Sequence, residues 1–301
     1  MLGPVFSALY RAARGARWRG GVALAGWPPT LRECYSARDV VCAKKRLLMP
    51  TMPTEDVAGA PAGGKRTIAV VLCAGQGTRL GAGQNKVFLP LAGRPIVVHA
   101  VAALTACPEV HGVLLVAHPR EVAYCETEIV SRYGLSTVIG VVAGGASRHQ
   151  SEERALAALR QQIEAGALDL LLIHDGARPF VAPDDVTRLI EAARATGGAV
   201  LASALAPDEV VARVAADSTL EAVYNSDELW RAQTPQAFAA AALLSAYDRA
   251  HADGFEGTDT AASFERLGRA VAIVPGSPDN FKITTPHDLQ RAEQLVSSWP
   301  R

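Results

Sequence analysis

Arg79 and Lys86 stand seven residues apart in the run Cys73-Ala74-Gly75-Gln76-Gly77-Thr78-Arg79, continued by Leu80 and, after further glycines, by Lys86. Gly75 and Gly77 remove side chains where a backbone must turn sharply and bring its N–H groups close to a phosphate, while Thr78, Arg79 and Lys86 add a hydroxyl and two cations. Together they make a cradle for a polyanion. A P-loop would need Ser or Thr directly after its lysine, and Val87 follows Lys86. The dinucleotide fingerprint needs a third glycine where Leu80 stands, which counts against a nicotinamide-dependent oxidoreductase.

The cradle, closed by Phe88-Leu89-Pro90-Leu91, resembles the signature loop of sugar-nucleotide pyrophosphorylases and related nucleotidyltransferases. The run Ile68 to Leu72 before it is β-branched and apolar, as a buried central strand is. Val110–Ala117, Thr137–Ala143, Asp169–Ile173, Ala199–Ala204 and Ala270–Val274 are further expected strands. Helices are expected over Gly93–Cys107, from His118-Pro119 to about Arg132, from the end of the Gly144–Ser151 stretch to about Glu164, and from Asp184 to about Thr196. Alternating strands and helices give an α/β fold: a doubly wound, mostly parallel, Rossmann-like sheet.

Strand ends then place further chemistry at the crevice where open α/β sheets bind ligands. Gly144 and Gly145 form a second glycine turn, with Arg148 and Ser151 just after it. Asp175, at the end of the fourth strand, is a carboxylate able to hold magnesium or a ribose hydroxyl. Arg178 would orient Asp175 or meet an anion, with a purely structural ion pair as the competing role. His174 beside them reads as a structural histidine. Lys282 would bring a third cation to the phosphates. Residues 206 to 228 alternate and read as a protruding β-arm, followed by a loop from Leu229 to Phe238; Thr258 or Asp259 should cap a later helix.

Net charge is zero, but the first fifty residues hold nine Arg or Lys against Glu33 and Asp39, which leaves +7 there and −7 on the rest. An acidic body offers no face for nucleic acid. Residues 1–66, rich in Arg, Gly, Ala and Pro, read as a disordered leader or a mis-assigned start, a transit peptide being the other reading, and 67–301 as the folded domain. Cys34, Cys42, Cys73, Cys107 and Cys125 are odd in number and lack Cys-x-x-Cys spacing, which fits a reduced, cytoplasmic protein. Nothing approaches the roughly 20 apolar residues that span a bilayer, so no membrane partner is expected.

The order of motifs, from the Cys73–Arg79 loop with Lys86 through Gly144-Gly145, His174-Asp175-Gly176-Ala177-Arg178-Pro179, Thr234-Pro235-Gln236 and Thr258-Asp259 to Asp279–Thr284, resembles the 2-C-methyl-D-erythritol 4-phosphate cytidylyltransferases of the non-mevalonate isoprenoid pathway. The resemblance spans Thr67 to about Val296. It implies that a sugar-alcohol phosphate attacks the α-phosphorus of CTP and expels pyrophosphate, with magnesium bridging the triphosphate. By the same resemblance Arg79 and Lys86 stabilise the transition state and Lys282 aligns the attacking phosphate. The backbone at Ala74, Gly75 and Gly145 and the Ser151 hydroxyl read cytosine, Asp175 serves ribose and metal, and Thr234 lies near the second substrate. A homodimer through the arm is expected.

Two arm positions depart from the family. Where it carries a Thr and an Arg that hold the acceptor, this chain has Asp208 and Ser226. Losing the arginine removes a charge-assisted pair of roughly 1.5 to 3 kcal/mol, which Arg213 or Arg231 would have to replace. Another polyol phosphate, such as ribitol 5-phosphate, is therefore the alternative acceptor. A CTP-binding regulator without turnover is the reading from another class, and the three cations speak against it.

Overall fold

The computed structural model describes residues 66–75, 85–206, 209–214, 216, 218–225 and 229–299. In chain order, β1 (Thr67–Cys73) leads through a single 3-10 turn (Lys86–Phe88) and a short ribbon, β2 (Pro90–Leu91) with β3 (Arg94–Pro95), to α1 (Ile96–Thr105). β4 (Val110–Ala117) is followed by α2 (Val122–Tyr124), which widens into a π-helical stretch (Cys125–Ser131), and by β5 (Val138–Ala143). Then come α3 (Arg148–Glu164), β6 (Leu170–Asp175), α4 (Pro183–Thr196), β7 (Gly198–Ala204) and the hairpin of β8 (Val210–Val214) and β9 (Leu220–Asn225). The chain closes with β10 (Trp230–Ala239), α5 (Ala240–Ala252), α6 (Thr260–Glu265), β11 (Ala272–Pro275) and α7 (Pro286–Val296).

The sheet runs β11-β7-β10-β6-β1-β4-β5. All its pairings are parallel except those of β10, which is antiparallel to β6 and β7. Successive residues of β1 point to opposite faces, so a strand buried on both must be apolar throughout. On one face Ala69, Val71 and Cys73 share a core with Val97 and Val101 of α1 and Leu189 and Ala193 of α4. On the other, Ile68 and Val70 share a core with Leu156 and Leu159 of α3 and Leu243 and Tyr247 of α5. Each large apolar side chain buried this way contributes roughly 1.5 to 3 kcal/mol. Helices cover both faces, as the doubly wound reading requires.

The chain steps from β1 to β4 and β5 on one side, then returns to lay β6 on the other side of β1. That reversal opens a crevice at the carboxyl ends of β1 and β6.

One sequence expectation is corrected. Pro235 and its run of amides make Leu229 to Phe238 read as a loop, yet Trp230–Ala239 is a ten-residue strand inside the sheet. A proline cannot donate to a ladder, and the sheet accommodates it by a register shift between Ala232 and Gln236. The arm expectation matches the β8–β9 hairpin, which forms its own two-stranded sheet. Asp208 and Ser226 lie outside the described residues, as do Gly77, Arg79 and the whole of residues 1–65.

Candidate active site

A cleft of 820 Å³ opens at the carboxyl edge of the sheet. Ala74 and Gly75 reach it from the end of β1, Gly144 and Gly145 from β5, Arg148 and Ser151 from α3, and Asp175 from β6; Lys86 and Lys282 complete the wall. Such a volume lies in the range that holds a small ligand of nucleotide size.

The second glycine turn is shaped by close packing. A Cβ on Gly145 would stand 2.3 Å from Cβ of Gln150, and one on Gly144 would stand 2.7 Å from Cβ of Ala74. Only hydrogen fits at either position. Ser147 caps α3 by accepting from the Gln150 N–H at 3.1 Å. Ser151 Oγ accepts from the Gly145 N–H at 3.1 Å and donates to the Ser147 carbonyl at 2.9 Å. The hydroxyl thus sets the wall's shape as well as lining it.

Each lysine is placed by a buried neighbour. Asn85, 3% exposed, donates from Nδ2 to the Cys73 carbonyl at 2.6 Å and to Glu121 Oε2 at 2.9 Å. It also starts the 3-10 turn that carries Lys86, accepting from the Val87 N–H at 3.4 Å. Lys282 is held from both sides. Asn280 donates to the Thr234 carbonyl at 2.9 Å, and the Ile283 N–H donates to the Ala177 carbonyl at 2.9 Å. Asn280 and Ile283 are fully buried, so the segment between them has little freedom.

Asp175 lies at the centre of the charge. Lys282 Nζ is 2.9 Å from its Oδ2, Arg178 Nε is 3.4 Å from the same oxygen, and Arg148 Nε is 3.8 Å from Oδ1. Burial opposes its ionisation, but Lys282, Arg148 and Arg178 outweigh that and hold the carboxyl well below the usual range. It is an anion at any working pH.

Behind Asp175 runs a chain of neutral hydrogen bonds. The Asp175 N–H donates to Thr234 Oγ1 at 3.0 Å, and Thr234 Oγ1 lies 3.2 Å from His174 Nδ1. His174 Nε2 is 3.0 Å from the Arg178 carbonyl, which can only accept. Nε2 therefore carries the proton, and Nδ1 accepts from the threonine hydroxyl. Burial pushes the His174 pKa down to about 4, so the ring is neutral near pH 7. The structural reading of His174 holds.

The expected site residues thus separate. Ala74, Gly75, Lys86, Gly145, Ser151, Asp175 and Lys282 line one cleft. Arg178 lies behind it, bound to Asp175 and donating to the Asn280 carbonyl at 2.7 Å, which is the orienting role. Thr234 is buried with its hydroxyl committed to Asp175 and His174 and does not line the cleft, unlike the substrate-side placement expected for it. Thr258 is exposed and off the cleft wall; Asp259, not Thr258, caps α6 by accepting from the Ala262 N–H at 2.9 Å. Sequence reasoning gave no role to Asn85 or Asn280. An asparagine next to a site lysine was the available signal for the first; the partners of the second lie dozens of residues away.

The family profile described as IspD, 2-C-methyl-D-erythritol 4-phosphate cytidylyltransferase, matches residues 67–298. The chain belongs to this family. The 2-C-methyl-D-erythritol 4-phosphate cytidylyltransferase of Geobacter metallireducens is 41% identical over 228 residues, 76% of this chain and 96% of that relative. That of Acidobacterium capsulatum is 40% identical over 233 residues, covering 75% of this chain and 95% of its own length. The crystal structure of the Thermus thermophilus enzyme of the same name superposes with a TM-score of 0.60 at 32% identity, over 76% of this chain and 98% of that one. Membership in the IspD family makes the chain a nucleotidyltransferase, the class to which its first glycine loop pointed.

Proposed function

We propose that this IspD-family chain transfers the cytidylyl group of CTP to 2-C-methyl-D-erythritol 4-phosphate. The acceptor's phosphate oxygen attacks the α-phosphorus, the bond from that phosphorus to the bridging oxygen of the β-phosphate breaks, and pyrophosphate leaves. No covalent bond to the protein is needed. The observation that carries this reading is the convergence of Lys86, Arg148 and Lys282, from three distant stretches of chain, on one cleft around a single buried carboxylate. Two anions must be brought together there, and fixed cations offset their repulsion and the charge that gathers on the equatorial oxygens. Cytosine would lie against Ala74, Gly75, Gly145 and Ser151, and Asp175 would face the ribose.

Magnesium fits this donor set as a shared ion. Asp175 is the only carboxylate lining the cleft among the described residues, and its Oδ1 has Arg148 beyond hydrogen-bond distance. Mg²⁺ is commonly held by one or two carboxylates with substrate phosphates and water supplying the rest. Asp175 would hold it, and the ion would neutralise triphosphate charge when bound.

The arm supports a homodimer. Val211, Val214, Leu220 and Val223 are 36–65% exposed on a two-stranded hairpin, and an isolated hairpin is marginal in water unless something covers it. Sedimentation of the full chain tests this, and a monomer at micromolar concentration refutes it. A cytoplasmic location is consistent with buried, free Cys73, Cys107 and Cys125; among the described residues no helix is long and apolar enough to cross a membrane.

A second acceptor, ribitol 5-phosphate, is favoured by Asp208 and Ser226 in the arm. Of the two arginines that would have to compensate, Arg231 pairs with Glu209 at 3.7 Å and Arg213 lies over the Tyr224 ring at 5.6 Å. Phosphorus NMR of a reaction with CTP, magnesium and methylerythritol phosphate tests the main reading. A new pair of coupled diphosphate signals together with free pyrophosphate supports it, and a spectrum of unchanged CTP and monoester sinks it.

A further inference from the structure

We propose that Glu152 is a positioning residue for the nucleotide, holding Arg148 in the cleft wall from behind. This rests on the reading of the cleft as a CTP site. Arg148 and Glu152 are four residues apart on α3, so they share one face of the helix, and Arg148 Nη1 donates to Glu152 Oε1. Glu152 is 1% exposed, whereas Arg148 reaches the cleft with about a quarter of its side chain open. The pair therefore connects the interior to the site.

Two other elements complete the grip. Tyr247 of α5 donates its hydroxyl to Glu152 Oε2. Thr260, at the start of α6, lies 3.1 Å from Glu152 Oε1 and accepts from Arg148 Nη1 at 3.1 Å. Tyr247 is in turn stacked on His149, with ring centroids 4.6 Å apart. Glu152, Tyr247, Thr260 and His149 are all buried, so the carboxylate has one place to be. A buried charge left unpaired is costly, which ties Glu152 to Arg148 as firmly as Arg148 is tied to Glu152.

The arrangement matters because Arg148 has a second carboxylate in reach. Its Nε stands 3.8 Å from Asp175 Oδ1. Without Glu152, that guanidinium would close onto Asp175 and occupy the oxygen that faces the ligand. With Glu152 in place it remains between the two anions, directed at the nucleotide. Glu152 does not line the cleft, so it acts only through Arg148.

Glu152 also makes this hold sensitive to pH. The groups that face it are Arg148 from its own helix, Tyr247 from α5, Thr260 from α6 with Asp259 capping that helix, and Asp175 from β6. Burial raises its pKa, Asp175 and Asp259 add to that, and Arg148 and Thr260 oppose it, with a result of about 7. Protonation removes the charge that holds the arginine, so CTP binding should weaken as pH falls through neutrality.

The test compares wild type, Glu152→Gln and Tyr247→Phe by steady-state kinetics from pH 6 to 8, with KM measured separately for CTP and for the acceptor. Turnover of CTP by the wild type checks the cleft reading itself, and its absence would fail that reading rather than this one. Replacing a charge-assisted bond by a neutral one in Glu152→Gln should raise the CTP KM roughly fivefold at pH 8, with the acceptor KM nearly unchanged. Its CTP KM should also lose the part of the wild-type pH dependence that the nucleotide's own terminal phosphate, common to all three proteins, does not supply. Tyr247→Phe removes one bond to the carboxylate and should shift the wild-type profile to higher pH. If Glu152→Gln does not fold, that shift decides alone. A CTP KM equal to that of wild type at every pH in the folded variants, or an equal rise in both KM values, overturns the proposal.

Discussion

Lys282 Nζ lies 2.9 Å from Asp175 Oδ2 at the carboxyl edge of the sheet, although 107 residues separate the two in sequence. The pair fixes a cation beside the proposed path of the attacking phosphate. Asp175 has Arg178 and Arg148 as further partners, so its charge survives loss of the lysine. Lys282→Ala should therefore keep its fold by circular dichroism while kcat falls by about 10² to 10³, the scale for losing one fixed charge-stabilising group. Activity within tenfold of wild type would remove Lys282 from the reaction.

Lys86 is placed by Asn85, whose amide spans the Cys73 carbonyl and Glu121. Lys86→Ala should abolish turnover with thermal stability unchanged. Asn85→Ala should lower both, because it leaves the buried Cys73 carbonyl without its donor, at a cost of about 1 to 3 kcal/mol. Thermal melts alongside kinetics separate the two effects.

Thr234→Val keeps side-chain shape but removes the hydroxyl that joins Asp175 N–H to the His174 ring. Two buried groups lose a partner, and stability should drop by about 1 to 3 kcal/mol in urea unfolding. A neutral substitution would show that the chain behind Asp175 is not structural.

These groups show where the sequence could be read and where it could not. β1, β4, the Gly144-Gly145 turn and the placement of Lys86 and Lys282 at the cleft were legible because strand burial and phosphate chemistry both depend on neighbouring residues. Strand β10 was not, since Pro235 and the amides around it describe a loop locally and only the register shift between Ala232 and Gln236 admits them to the sheet. The grip on Arg148 was equally hidden. Glu152 and Tyr247 meet across 95 residues, and a glutamate on a helix with a tyrosine on another carries no mark of that meeting. Thr234 stands out in its motif, but the motif does not say which side of Asp175 it occupies.

Two buried groups give opposite pH dependences of stability. His174 has a pKa of about 4 in the fold against 6.5 when unfolded, so its contribution is complete above pH 6.5 and is lost as pH falls toward 4. Glu152 has about 7 against 4.5, so its contribution is complete in acid and is lost as pH rises from 4.5 to about 7. Each amounts to about 3 kcal/mol, and between pH 4.5 and 6.5 they largely cancel. Glu152→Gln should remove one side of that balance: its unfolding free energy should fall on acidification from pH 6.5 to 4.5 more steeply than that of wild type. Parallel curves for the two proteins would contradict the burial assigned to these groups.

The central claim is cytidylyl transfer to methylerythritol phosphate, and pyrophosphate release tests it most directly. The purified full chain would be supplied with CTP and magnesium, with 2-C-methyl-D-erythritol 4-phosphate and ribitol 5-phosphate in parallel. Release that depends on methylerythritol phosphate is the predicted result and would make Asp208 and Ser226 tolerated changes in the arm. Release with ribitol 5-phosphate alone, or with neither acceptor from folded protein, would contradict it.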